Sequence, residues 1–171
     1  MAQIAAKSTQ VLNRIKFATS GIVRVGRRTE NAIDDVAANS PNPRRIAAGA
    51  TNAEKGVFGE AMSDEWMANR GFQKMNGDLV QVGDRPIGNG IDGVWRNSTP
   101  PPEYIITESK YGTSRLGMTR DGQQMSQPWI RSRLERAVGS RRTADDIISS
   151  GYERWILKVD ENGNVTRTIM R

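Results

Sequence analysis

The chain has 171 residues, a hydrophobic content of 36% and a formal net charge of +6. No stretch approaches the roughly 18 apolar residues of a membrane span, so the composition predicts a soluble protein without a membrane partner. Cysteine and histidine are both absent, which excludes disulfides, zinc-thiolate sites, Ser-His-Asp triads and histidine-based nucleases. Any catalysis must therefore use carboxylates, lysine, hydroxyl groups or a metal ion bound through oxygen.

The first 29 residues account for the whole net charge. They contain six basic residues and no acidic one, whereas the rest of the chain carries 19 basic and 19 acidic side chains. Four apolar residues in this stretch recur at helical spacing, which predicts an amphipathic helix over 3–17. These residues are Ile4, Val11, Leu12 and Ile15.

A break follows this stretch. A second helix is expected near 29–38, and NSPNPRR (39–45) contains two prolines that interrupt regular structure. We therefore expect a basic helical arm or linker over 1–45 and a separate domain over 46–171. The arm is either a linker or a segment that binds nucleic acid.

The segment 52–72, NAEKGVFGEAMSDEWMANRGF, predicts the first helix of the domain. Four of its apolar residues share one broad stripe, and Gly71 ends the helix. The residues of the stripe are Val57, Met62, Trp66 and Met67.

Short strands are expected next, at 72–75 and at 79–82. A hairpin follows, with strands near 91–96 and 103–109 joined by the turn NSTPPP (97–102).

The rest of the chain predicts a polar loop, a helix and two strands. After Tyr111 the loop GTSRLGMTRDGQQ leads to Ser126, which can cap a helix that tolerates Pro128 in its first turn. This helix runs through WIRSRLERAV. YERWILKVD and VTRTIM then predict two strands around the turn ENGN. The order of elements predicts a mixed α/β fold.

Charged residues interrupt the predicted hairpin. Because side chains alternate along a strand, Glu108 and Lys110 share one face of YIITESK, while Ser109 lies on the other. Antiparallel pairing brings Asp92 within a few ångström of Glu108. Gly90 and Gly93 flank Asp92 and leave space for a substrate backbone.

Two converging carboxylates repel each other unless a cation neutralises them. In a chain without histidine or cysteine, the suitable cation is Mg²⁺ or Mn²⁺, which take oxygen ligands. Such a metal can activate water and neutralise charge on a phosphate, and Lys110 can orient the water or stabilise the transition state. The residues thus predict a site for phosphodiester hydrolysis.

Asp92, followed across a hairpin by Glu108-Ser109-Lys110, resembles the D…(D/E)xK pattern of the PD-(D/E)XK nuclease superfamily. The resemblance implies a restriction-endonuclease-like αβββαβ core. It also implies that Asp92 and Glu108 bind the metal and that Lys110 acts on the nucleophile.

Two further roles rest on this resemblance. The superfamily commonly carries a glutamate on its first helix, which Glu60 matches, and this residue would complete the metal shell directly or through water. Many members carry a glutamine just past the lysine. Gln124 matches it, with Gln123 as a substitute, and would position phosphate or water.

The run ITESKYGTSRLGMTRDGQQMSQPWIRSRL (106–134) is similar to nuclease effector domains of bacterial polymorphic toxins of the contact-dependent and Rhs types. This similarity implies a secreted or delivered toxin that degrades nucleic acid in the cytoplasm of a target cell. Double-stranded DNA is the expected substrate, and a cognate immunity protein is the expected partner.

Basic residues dominate 110–142, where eight of them face two acidic ones. The segment suits contact with phosphates, although a solvated helix face has the same composition. The residues expected to bind nucleic acid are Arg115, Arg120, Arg131 and Arg133. Trp95 and Trp129 are expected in the core. Two alternative functions remain open: a nucleic-acid-binding module without catalysis, and an RNA-cleaving toxin of the same fold.

Overall fold

The computed structural model describes residues 46, 49–86, 88 and 90–171. The basic arm and the domain boundary at residue 45 lie outside the described residues, so both stay predictions. No helix in the described part of the chain is long and apolar enough to cross a membrane.

The first described helix, α1, spans Asn52–Ala68 and begins at a capping box. The Thr51 side chain accepts a hydrogen bond from the Glu54 amide, and the Glu54 carboxylate accepts one from the Thr51 amide at 2.7 Å. Gly71 follows the helix end with a φ of 83°, which glycine adopts without strain. The predicted helix and its buried stripe are confirmed.

In the described part of the chain, seven strands form two sheets. They are β1 (Gln73–Lys74), β2 (Gly93–Arg96), β3 (Tyr104–Tyr111), β4 (Met118–Thr119), β5 (Gly122–Gln123), β6 (Tyr152–Val159) and β7 (Val165–Met170). The main sheet has the order β1-β2-β3-β6-β7, and its pairs are antiparallel except for β3 and β6. The predicted hairpin is confirmed, with Gly93 opposite Thr107 and Arg96 opposite Tyr104.

Two helices connect the parallel strands β3 and β6, as a crossover connection requires. The predicted helix is α2 (Gln127–Val138), which has Pro128 in its first turn. Ser126 occupies the N-cap position, but its side chain makes no capping hydrogen bond. Helix α3 (Arg141–Ser150) was not predicted, because its polar sequence buries only Ala144 and Ile147.

The sheet separates two hydrophobic clusters, which places it between α1 on one face and α2 with α3 on the other. Trp95 and Ile105 pack with α1, whereas Val94 and Ile106 pack with α2 and α3. This division follows the alternation of side chains along β2 and β3. Trp95 and Trp129 are 0% and 2% exposed, so their predicted place in the core is confirmed.

Two sequence predictions about secondary structure are wrong. Residues 79–82 form no strand: only Val80 is buried, and its amide donates to the Asp64 carboxylate instead of to a neighbouring strand. The predicted polar loop after Tyr111 contains the small hairpin of β4 and β5. The chain is a mixed α/β domain with a mixed sheet and three described helices.

Candidate active site

The ends of β2 and β3 bring Asp92, Glu108 and Lys110 together. Asp92 directly precedes β2, and its Oδ2 accepts a 2.8 Å hydrogen bond from the Ser109 amide. Glu108 is buried, and its Oε1 lies 2.7 Å from Lys110 Nζ. The expected proximity of the two carboxylates thus follows from the strand register.

Gln124 completes this group from the segment after β5. Its Oε1 accepts from Lys110 Nζ at 3.2 Å and from the Gly117 amide at 2.7 Å, while its Nε2 donates to Glu108 Oε1 at 3.0 Å. Gln124 therefore holds both Glu108 and Lys110. Gln123, the predicted substitute, is exposed in β5.

Glu60 approaches the same site from α1, where it is half-buried. Burial, together with the negative charges of Asp92 and Asp64, raises the pKa of Glu60 to about 7. Burial and the charge of Glu108 raise the pKa of Asp92 to about 7 as well. Burial raises the pKa of Glu108, although Lys110 opposes this effect. The three carboxylates therefore share one electrostatic environment that favours neutralisation.

The donor atoms suit a hard cation. Glu108 Oε2 is buried and has no hydrogen-bond partner in the described structure, which is costly for a carboxylate oxygen. With Asp92 it offers the oxygen ligands that Mg²⁺ prefers. Across the described ranges, however, no group of three or more acidic side chains is arranged to hold a metal ion. Asp92 and Glu108 thus offer two adjacent carboxylates as oxygen donors, and Glu60 lies close enough for its pKa to respond to the Asp92 charge.

The space expected beside Gly93 is filled by the core. A Cβ at Gly93 would overlap Thr107 Oγ1 and Trp95 Nε1, and these two atoms are joined by a 3.0 Å hydrogen bond. A Cβ at Gly90 would meet no atom within 4 Å. Gly93 is therefore required for packing behind Asp92, and only Gly90 leaves open space.

A buried ion pair lies next to the site and is not predicted from the sequence. Lys74 Nζ lies 2.5 Å from Asp64 Oδ2, and the two side chains are 5% and 6% exposed. Asp64 also accepts from the Val80 amide, and both charges act on Glu60. One signal was present in the sequence, because Asp64 lies four residues after Glu60 and hence on the same helix face.

The arginines predicted to bind nucleic acid differ in their surroundings. Arg115, Arg120 and Arg131 are exposed. Arg133 is partly buried: its guanidinium lies 2.7 Å from the Asp121 carboxylate and 4.7 Å from the centroid of the Trp129 ring. An incoming phosphate would have to compete with Asp121 for Arg133.

Comparison with known proteins adds no relative. No protein-family model matches the chain, and neither a curated protein nor a solved structure matches it. The geometry and chemistry of the site therefore carry the functional conclusion.

Proposed function

We propose that this domain is a metal-dependent nuclease with a restriction-endonuclease-like core that hydrolyses phosphodiester bonds in double-stranded DNA. The observation that carries the proposal is the unpartnered, buried Oε2 of Glu108 beside Asp92 and Lys110. A buried carboxylate next to a half-buried one is costly without a cation, and a lysine beside them can stabilise an anionic substrate.

Asp92 and Glu108 would hold Mg²⁺ or Mn²⁺, and Glu60 would complete the shell directly or through water. When bound, the ion would supply an activated water and neutralise charge on the scissile phosphate. The site can contain no thiolate or imidazole ligand, since the chain has no cysteine or histidine. This donor set favours hard divalent cations over zinc.

Lys110 and Gln124 would position the reacting groups. An ammonium group has three N–H donors, and Lys110 uses two of them on Glu108 and Gln124. We assign the third donor to the attacking water or to a phosphate oxygen. Gln124 fixes Lys110 and Glu108 relative to each other, so it acts as a positioning residue for both.

Exposed arginines would bind the phosphates of the substrate. Arg115, Arg120 and Arg131 are available for such contacts, and Arg133 becomes available when Asp121 releases it. Arginine pairs with phosphate through two parallel hydrogen bonds, which favours a defined backbone position. The basic residues of 1–29 would add contacts that are independent of sequence.

A nuclease that attacks the DNA of its own cell requires neutralisation during synthesis. We propose that the domain is a delivered bacterial toxin that acts in the cytoplasm of a target cell and is held inactive by an immunity protein. Such a partner would place carboxylates against the exposed arginines, because carboxylates can mimic phosphates and their charge speeds association. Expression of the chain without a partner should arrest bacterial growth, and Lys110→Ala should relieve the arrest. Harmless expression of the unchanged chain would contradict the toxin assignment.

One observation favours a second candidate, a nucleic-acid-binding module without catalysis. The described residues contain no group of three carboxylates arranged around a metal position. In that case Asp92 and Glu108 would be structural, and binding would persist in EDTA with a strong dependence on salt.

The purified chain, incubated with plasmid DNA and with total RNA in Mg²⁺ or in EDTA, separates these candidates. The nuclease proposal expects cleavage of plasmid in Mg²⁺ and none in EDTA. Cleavage of RNA alone would show that the substrate is RNA and not DNA. If both substrates stay intact in Mg²⁺ and binding depends on salt, the result favours a nucleic-acid-binding module without catalysis.

A further inference from the structure

Asn76 holds the backbone on both sides of Asp92. Its Nδ2 donates to the carbonyl of Ile91 at 3.1 Å and to the carbonyl of Asp92 at 3.2 Å. Its Oδ1 accepts from the Val94 amide at 2.7 Å. One side chain thus makes three hydrogen bonds to the four residues 91–94.

These bonds occur where the regular ladder ends. Strand β1 stops at Lys74, the Met75 amide donates to the Val94 carbonyl at 2.8 Å, and strand β2 begins only at Gly93. The side chain of Asn76 therefore supplies the backbone around Asp92 with the hydrogen bonds that a neighbouring strand would otherwise provide. A buried or half-buried carbonyl needs such a partner.

Both ends of the Asn76 segment are fixed. Before Asn76, Lys74 pairs with Asp64 of α1, and after it the Val80 amide donates to the same carboxylate. Asn76 is thus tied to the helix that carries Glu60, and through its own bonds to the backbone of Asp92. Within this backbone, Gly93 lies so close to Trp95 and Thr107 that a Cβ would not fit.

From this geometry we propose that Asn76 is a positioning residue that sets the place of the Asp92 carboxylate in the active site. The inference rests on the proposed nuclease function for its effect on catalysis, but its structural part does not depend on that function. Residues that orient a metal ligand typically change metal affinity or activity about 10- to 100-fold when removed.

Hydrogen exchange of the metal-free protein tests the structural part. The Ser109 amide, which donates to Asp92 Oδ2, should exchange roughly 5- to 10-fold faster in Asn76→Ala, because loss of the Asn76 bonds frees Asp92. The Ile130 amide of α2, bound to the Ser126 carbonyl, should keep its rate. An unchanged Ser109 rate in Asn76→Ala would overturn the proposal.

Asn76→Asp separates the two halves of the side chain. A carboxylate can still accept from the Val94 amide, but it cannot donate to the carbonyls of Ile91 and Asp92. If Asn76 positions Asp92, the Ser109 amide should exchange fast in both variants. The Val94 amide should exchange fast in Asn76→Ala alone. If Asn76→Asp restores slow exchange at Ser109, the amide group of Asn76 has no such role.

Asn97 provides a matched control at the other end of the hairpin. Its Nδ2 donates to the carbonyls of Thr99 and Pro102, and its Oδ1 accepts from the Thr99 amide. In Mg²⁺, Asn76→Ala should lower kcat about 10- to 100-fold while Asn97→Ala keeps the wild-type kcat. Equal losses in both variants would show a general effect on folding and overturn the proposal. An inactive wild-type chain would instead refute the nuclease function and leave the exchange results to decide the role of Asn76.

Discussion

The Ser109 amide donates a 2.8 Å hydrogen bond to Asp92 Oδ2. This bond ties the residue that precedes β2 to the residue that follows Glu108, so the two carboxylates are held at the same end of the hairpin. Burial raises the pKa values of both carboxyls. The charge of Glu108 adds to the rise at Asp92, and the charge of Glu60 adds to the rise at Glu108, which Lys110 opposes. The fold thus holds two carboxyl groups in surroundings that disfavour the ionised form of each.

Removal of one charge from this pair should stabilise the metal-free protein. In Asp92→Asn, the amide oxygen can still accept from Ser109, while the burial cost of the charge disappears. We expect the free energy of unfolding at pH 8 to rise by about 2–4 kcal/mol, because each unit of pKa corresponds to about 1.4 kcal/mol. Urea unfolding measures this change. A variant less stable than wild type at pH 8 would show that the Asp92 charge is not costly.

The stability of the wild-type protein should fall as pH rises between about 5 and 8. Glu60 and Asp92 have pKa values raised to about 7, so the folded state binds protons more tightly than the unfolded state. The stabilisation is complete below their ordinary pKa values and is lost as pH passes about 7. Because the chain has no histidine, no imidazole titrates in this range.

Thermal unfolding in EDTA across this range checks the slope. Asp92→Asn should flatten it, because one of the carboxyls with a raised pKa is gone. Asp160→Asn is the matched control: hydrogen bonds lower the pKa of Asp160, so its contribution changes only at more acidic pH. A wild-type Tm that is constant or rises from pH 5.5 to pH 8 would contradict the raised pKa values.

The sequence was sufficient for the elements with strong local signals. Helix α1 has a cap at Thr51 and a glycine after its end, and the hairpin has a proline-rich turn that fixes its register. Residues 79–82 look like a strand because they include Leu79, Val80 and Val82, but Asp64 takes the Val80 amide. Helix α3 was missed because its stability comes from packing of two residues and from the Ser140 cap.

For the site, strand alternation predicted that Glu108 and Lys110 lie side by side, and antiparallel pairing predicted that Asp92 lies close to Glu108. Gln124, which was assigned by resemblance to position phosphate or water, contacts Lys110 and Glu108. Lys74 and Asn76 could not be found in this way, because each acts through a partner distant in the chain. Such partners depend on how α1 and β1 pack, which no local pattern encodes.

Gly93→Ala should destabilise the hairpin. The added Cβ would overlap Thr107 Oγ1 and Trp95 Nε1, and neither can move without disturbing the core. Overpacking of this kind costs about 1–3 kcal/mol. Chemical unfolding of Gly93→Ala and of Gly90→Ala tests this, because a Cβ at Gly90 meets no atom within 4 Å. Equal stability of the two variants would contradict the close packing at Gly93.

Deletion of residues 1–29 should weaken binding to DNA and flatten its salt dependence. The deletion removes six positive charges and none of the proposed catalytic residues. If all six contact phosphates, the slope of log K against log salt falls by about 5. Binding should be measured in the Glu108→Gln background, where no cleavage interferes. An unchanged slope would show that the segment is a linker.

The decisive measurement is the rate at which a fluorescently labelled DNA duplex is cleaved in Mg²⁺ by wild type, Glu108→Gln and Asn97→Ala. Glu108→Gln keeps the bonds of Oε1 to Lys110 and Gln124 but removes the charge of the unpartnered oxygen. We expect wild type and Asn97→Ala to cleave at equal rates and EDTA to stop cleavage by both. Glu108→Gln should cleave more than about 100-fold more slowly than wild type. Cleavage by Glu108→Gln at the wild-type rate, or undiminished cleavage in EDTA, would show that the carboxylate pair is not a catalytic metal site.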